Sequence, residues 1–188
     1  MPAISLNLES LTETLTHEQF YELCMTNKDV AMERSPSGEL IIMPPVGGES
    51  GRKEARYIFK LVAWNEQTDL GEVFSSSTVF KLPNGGDRSP DAAWINRECW
   101  DALTPEQQEK FLPICPDFVI ELRSKSDRLK PLQAKMREYL GSGLRLGWLI
   151  NPQDQSVEIY RAGKEAEMLK FPVILSGENI LPGFTLEI

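Results

Sequence analysis

Along this chain the apolar residues change their spacing several times, and each change marks a new element. Thr16-His17-Glu18-Gln19 has the form of a capping box and predicts a short helix running to about Met25. Residues 30–34 and 39–43 flank Ser35-Pro36-Ser37-Gly38, the signature of a hairpin. After the break Pro44-Pro45-Val46-Gly47-Gly48, a helical period returns over residues 49–67, with Ala55, Ile58, Phe59, Val62 and Ala63 expected on its apolar stripe. Gly71 is expected to stop that helix, with strands over residues 72–74 and 78–82 and a tight turn at Pro83-Asn84-Gly85-Gly86-Asp87. A strand is expected over residues 91–95, then a small helix capped by Thr104 with Pro105 at its first position.

The stretch DFVIELRSKSDRLK, residues 117–130, alternates Phe118, Ile120 and Leu122 with Asp117, Val119, Glu121 and Arg123. That is the period of a strand buried on one face, leaving Glu121 and Arg123 together on the other. Leu132, Met136, Tyr139 and Leu140 repeat at helical spacing, and Gly141 and Gly143 follow. Residues 144–150 are almost wholly apolar, as expected of a strand covered on both faces. Weaker strands are expected over residues 156–160, 168–171 and 184–188. A strand-helix-strand crossover over residues 117–150 predicts parallel pairing, so the fold class is α/β with a mixed β-sheet. No repeat or linker divides the chain, and residues 1–188 are expected to form a single domain.

Composition narrows the chemistry. The chain is ordinary globular material at 41% hydrophobic and 26% charged, and no apolar run is long enough to span a bilayer. The first ten residues lack the basic and apolar regions of a signal peptide, and three scattered cysteines argue against a disulfide framework, so a cytoplasmic location is expected. A single histidine excludes His-rich metal sites and disfavours a Ser-His-Asp triad. Any hydrolysis must then rest on carboxylates, lysine or a metal held by oxygen. The net charge of −8 opposes general nucleic-acid coating. Against that stand two basic groups: Arg123, Lys125, Arg128, Lys130, Lys135 and Arg137, and Arg52, Lys53, Arg56 and Lys60. Solvated helix faces are the common explanation of such runs.

Asp91 and Glu121 both fall on expected strands of one sheet, and such a pair is what magnesium takes from a protein, with water or phosphate completing its octahedron. A metal there would polarise a phosphate, and Arg123 or Lys135 could offset the charge of the transition state. The bland alternatives are a turn-ending Asp91, a surface Glu121–Arg123 pair and an exposed Lys135. Glu49, in the first turn of the long helix, is placed where the helix dipole favours any carboxylate.

Ser89-Pro90-Asp91, followed later by Pro116-Asp117-Phe118-Val119-Ile120-Glu121-Leu122-Arg123-Ser124, resembles the PD-(D/E)xK nuclease superfamily. More narrowly the chain is similar to the Uma-type putative restriction endonucleases, a likeness extended by Met43-Pro44-Pro45, by Lys135 with Tyr139, and by Gly147-Trp148-Leu149-Ile150-Asn151-Pro152. The resemblance implies a restriction-endonuclease-like core, about residues 47–152, preceded by an N-terminal helix and hairpin. It also implies a magnesium-dependent endonuclease acting on DNA, with manganese a possible substitute. Asp91 and Glu121 would hold the metal, with Glu49 as a further acid from the helix before the sheet. The superfamily's motif lysine is Arg123 here; arginine can stabilise charge but is a poor proton acceptor, and Lys135 could be that lysine relocated to the helix. The other readings are a degenerate nuclease fold that binds nucleic acid or protein without cutting, and an interaction protein forming a homodimer.

Overall fold

The computed structural model describes residues 4–6 and 15–188. Strand β1 (Ile4–Leu6) is followed by helix α1 (His17–Thr26), whose capping box forms as expected. The Thr16 hydroxyl accepts from the Gln19 amide at 3.2 Å, and the Gln19 side chain accepts from the Thr16 amide at 2.8 Å. Strands β2 (Ala31–Arg34) and β3 (Leu40–Met43) pair antiparallel across the expected turn, with Gly38 at φ 84°. Helix α2 (Gly48–Thr68) then leads to β4 (Gly71–Ser75), β5 (Phe80–Lys81), β6 (Asp87–Arg88) and β7 (Ala92–Asn96). Short helices α3 (Arg97–Asp101) and α4 (Pro105–Glu109) precede β8 (Phe118–Leu122), α5 (Leu129–Gly141) and β9 (Leu146–Asn151). The chain closes with β10 (Ser156–Arg161), β11 (Glu167–Lys170), β12 (Ile174–Ser176) and β13 (Thr185–Glu187).

The main sheet runs β11-β10-β9-β8-β7-β4, and only β8 and β9 are parallel, joined by the crossover through α5. A second, antiparallel sheet runs β1-β3-β2-β6-β5. Alternate residues of the main sheet serve two cores. Ala92, Trp94, Phe118, Ile120, Trp148 and Ile150 face Tyr57 and Leu61 of α2 and the C-terminal β12–β13 segment, where Trp148 stacks on Phe184. Ala93, Ile95, Val119 and Leu149 face Met136 and Tyr139 of α5. β8 is therefore buried on both faces, not one, because α2 covers the side opposite α5. The expected stripe on α2 is also rotated. Tyr57 and Leu61 are its buried residues, whereas Phe59 is 65% exposed. The three cysteines are unpaired, and burial pushes the Cys115 thiol up to about 12. Among the described residues, no helix is long and apolar enough to cross a membrane.

α2 stops at Asp69, which adopts the left-handed conformation at φ 51°, and Gly71 has a different task. It opens β4 against β7, where an added Cβ would lie on the carbonyl oxygen of Ile95 and 2.7 Å from the Trp94 ring. Trp94 is held in turn by Asn65 of α2 at 2.8 Å, and the same amide side chain donates to the Gly71 carbonyl at 2.8 Å. Neither neighbour can retreat. Gly71→Ala is expected to cost about 3 kcal/mol by overpacking, read as a lowered denaturant midpoint with an unchanged slope.

Candidate active site

Pairing of β7 with β8 places Ala92 opposite Ile120, so continuing the register by one residue sets Asp91 opposite Glu121. Both lie on the sheet face covered by α5, the face that Ala93 and Val119 share two residues away. Asp91 Oδ2 accepts the Leu122 amide at 2.5 Å, which ties the carboxyl to the end of β8. Glu121, 3% exposed, accepts at Oε1 from the Tyr139 hydroxyl at 3.1 Å and from the Lys135 ammonium at 2.7 Å. Among the described residues, Asp91 Oδ1 and Glu121 Oε2 have no hydrogen-bond partner.

Lys135, Glu138 and Tyr139 share one face of α5 by their spacing, and all three point into this region. Lys135 is a buried cation. Besides Glu121 it binds Glu33 Oε1 of β2 at 2.7 Å and the Ser89 carbonyl at 3.0 Å. Arg88 of β6 bridges Glu33, at 3.0 Å, and Glu138, through two bonds of 2.8 Å. The two sheets and α5 therefore meet in one buried charged network.

The electrostatics divide its members. Burial first, and the charge of Glu121 second, hold the Asp91 carboxyl well above the usual carboxylate range. Burial also raises Glu121, although Lys135 pulls the other way. Burial would raise Glu33 too, but Lys135 and Arg88 outweigh it and leave the carboxyl lowered. Burial would lower Lys135, and the charges of Glu121 and Glu33 reverse that, so its ammonium is held above the ordinary lysine value. With both acids ionised, the Asp91–Glu121 pair carries more negative charge than Lys135, shared with Glu33, can neutralise, the condition under which a divalent cation is favoured.

Two sequence candidates stand apart. The Arg123 guanidinium turns to Asn151 at 3.2 Å, Asp154 at 3.1 Å and the Asp127 carbonyl at 3.2 Å, forming no bond with Glu121. Glu49 lies at the exposed start of α2 and pairs with Arg52 at 2.9 Å and Lys53 at 3.4 Å. The acid of α2 whose charge reaches Asp91 is Glu54, which accepts from the Ser76 hydroxyl at 2.5 Å. Sequence reasoning missed Glu54 and Glu33. Glu54 lies in the second turn of α2, and the Glu33 side chain meets partners far along the chain in Arg88, Ser89 and Lys135. Among the described residues, no three His, Cys, Asp or Glu side chains converge as a ready-made metal cage.

A family model described as Uma2, putative restriction endonuclease, matches residues 17–188. No curated protein matches. Among solved structures, a putative nuclease belonging to DUF820 from Anabaena variabilis superposes with a TM-score of 0.72 at 20% identity, covering 84% of this chain and 87% of that one. At that identity the likeness speaks for the fold, a mixed sheet flanked by helices of the restriction-endonuclease-like kind.

Proposed function

We propose that this chain, which belongs to the Uma2 putative restriction endonuclease family, is a magnesium-dependent endonuclease that hydrolyses DNA phosphodiester bonds. The observation that carries the reading is the juxtaposition of Asp91 and Glu121 on neighbouring strands, each with one uncommitted oxygen, beside the Lys135 ammonium. Magnesium typically takes one or two carboxylates and fills its shell with water and substrate phosphate, so Asp91 Oδ1 and Glu121 Oε2 suit it, and manganese can stand in. A divalent ion supplies a Lewis acid for the scissile phosphate and a lowered pKa for a neighbouring water.

The chain's own residues do the rest. Leu122 holds Asp91 through its backbone amide, and Tyr139 holds Glu121, so both carboxylates are oriented before substrate arrives. Lys135 stays protonated beside Glu121 and offsets the charge that gathers on the phosphate oxygens. It takes the place of the motif lysine, since Arg123 is engaged with Asp154.

The test is nicking of supercoiled plasmid in magnesium or manganese by the wild type, Asp91→Ala, Glu121→Ala and Arg123→Ala. The wild type and Arg123→Ala are expected to nick, and the two carboxylate variants are expected to be inactive. Equal activity in the wild type and both carboxylate variants would remove the site from the reaction.

A further inference from the structure

β2 belongs to the second sheet, yet its Glu33 is 2% exposed and reaches the centre of the charged network. Glu33 Oε1 accepts from the Ser89 amide at 2.9 Å and from Lys135 at 2.7 Å, and Oε2 accepts from Arg88 at 3.0 Å. Arg88 is locked by its two-pronged pair with Glu138, so the Glu33 carboxylate is gripped by donors that cannot drift. An ammonium has three protons, and those of Lys135 are directed at the Ser89 carbonyl, Glu33 and Glu121. Two of the three acceptors lie on the side of Glu33. Only the remaining proton faces the Asp91–Glu121 pair. Ser89 is bound at both ends of its backbone, its amide to Glu33 and its carbonyl to Lys135, two residues before Asp91.

We propose that Glu33 is a positioning residue of the nuclease site, fixing the Lys135 ammonium and the Ser89-Pro90-Asp91 backbone so that one Lys135 N–H remains for Glu121 and the substrate. This rests on the nuclease reading of Asp91 and Glu121. Both Glu33 oxygens are filled by protein donors, so it acts through Lys135 and Asp91 rather than on the metal. Without its charge, Lys135 has only Glu121 as a carboxylate partner and turns towards it. That draws the ammonium away from the substrate phosphate while leaving Glu121 Oε2 open to the cation. The N-terminal hairpin is then part of the active site rather than an ornament on the core.

The test compares Glu33→Gln and Glu33→Asp with the wild type in the full chain, on samples whose folded fraction is checked by circular dichroism. Gln retains an acceptor for Ser89 but loses the charge and sets an amide against Arg88, while Asp retains the charge one methylene shorter. Supporting residues of this kind cost about 10–100-fold when changed. Glu33→Gln is expected to lower kcat for manganese-dependent nicking by about that factor, with KM and manganese affinity unchanged, and Glu33→Asp is expected to recover part of the loss. A lowered melting temperature with unchanged kcat would overturn the proposal, as a mere staple between sheets predicts. Loss of manganese binding equal to that of Asp91→Ala would also overturn it, making Glu33 a ligand. Should the wild type itself not nick, the nuclease reading fails, and a crystal structure of Glu33→Gln still decides the positioning. A displaced Lys135 Nζ supports it, and unmoved Lys135 and Ser89 overturn it.

Discussion

Asp91→Asn is expected to raise the melting temperature of the metal-free protein while abolishing metal-dependent nicking. The Asp91 carboxyl is held well above its ordinary value by burial and by the Glu121 charge, so ionising it works against folding. A group whose proton affinity is raised on folding stabilises fully below its unfolded pKa, about 3.9, and loses that contribution as pH rises through the folded pKa. The variant should therefore match the wild type near pH 4 and exceed it increasingly towards neutrality, by roughly 2–4 °C for each kcal/mol gained in a chain of this size. Asparagine keeps an oxygen for the Leu122 amide, so the backbone contact survives the change. Adding manganese should reverse the order, because binding stabilises only the protein that keeps both carboxylates. Thermal melts across pH, with and without manganese, check both signs. A destabilised Asp91→Asn at neutral pH without metal would mean that Asp91 is an ordinary structural acid.

The second large effect is Lys135→Met. Lys135 is 6% exposed and neutralises Glu33 and Glu121, each at 2.7 Å. Removing one partner of a buried ion pair leaves an uncompensated charge and costs about 3–5 kcal/mol. Glu33 retains Arg88, whereas Glu121 retains only the Tyr139 hydroxyl and has Asp91 beside it, so most of the cost falls on Glu121. Nicking should be lost as well. The pH dependence identifies the cause. In the wild type, the lowered Glu33 carboxyl contributes stability above its unfolded pKa of about 4.3, and that is lost on acidification. In Lys135→Met the deficit should instead shrink as pH falls, since protonation relieves the stranded Glu121. Chemical denaturation at pH 5 and pH 8 measures the difference, and Glu121→Gln placed on the same background should restore stability. A deficit independent of pH would point to lost packing of the lysine stem instead.

The sequence carried those parts of the fold that depend on local chemistry. The Thr16 capping box, the Ser35–Gly38 turn and the apolar run that becomes β9 all formed where their residues place them. What it concealed depends on partners distant in the chain. β8 read as buried on one face because its alternation includes Glu121, and only the covering helices show that Glu121 is a buried polar member of a second core face. Phe59 read as core on α2 because it is apolar, but the C-terminal segment packs beside Trp64, whose indole donates to the Pro182 carbonyl at 3.0 Å. Arg123 looked like the partner of Glu121 through strand spacing. That spacing holds only while the chain stays in the sheet, and β8 ends at Leu122. Glu33 left no local mark, since an acid in a hairpin strand ordinarily faces water, and its burial comes from Arg88 and Lys135. Asp91 and Glu121 were legible as a pair because their strands could be assigned to one sheet, and the register sets them opposite each other.

Anomalous scattering from a crystal soaked in manganese decides whether Asp91 and Glu121 hold the ion. A single strong peak is expected, bounded by Asp91 Oδ1 and Glu121 Oε2, with Lys135 still on Glu33, and with Glu49 and Arg123 clear of it. A peak held by Glu49 or by Asp154, with Asp91 and Glu121 unliganded, would contradict it, as would no peak at manganese concentrations that support nicking.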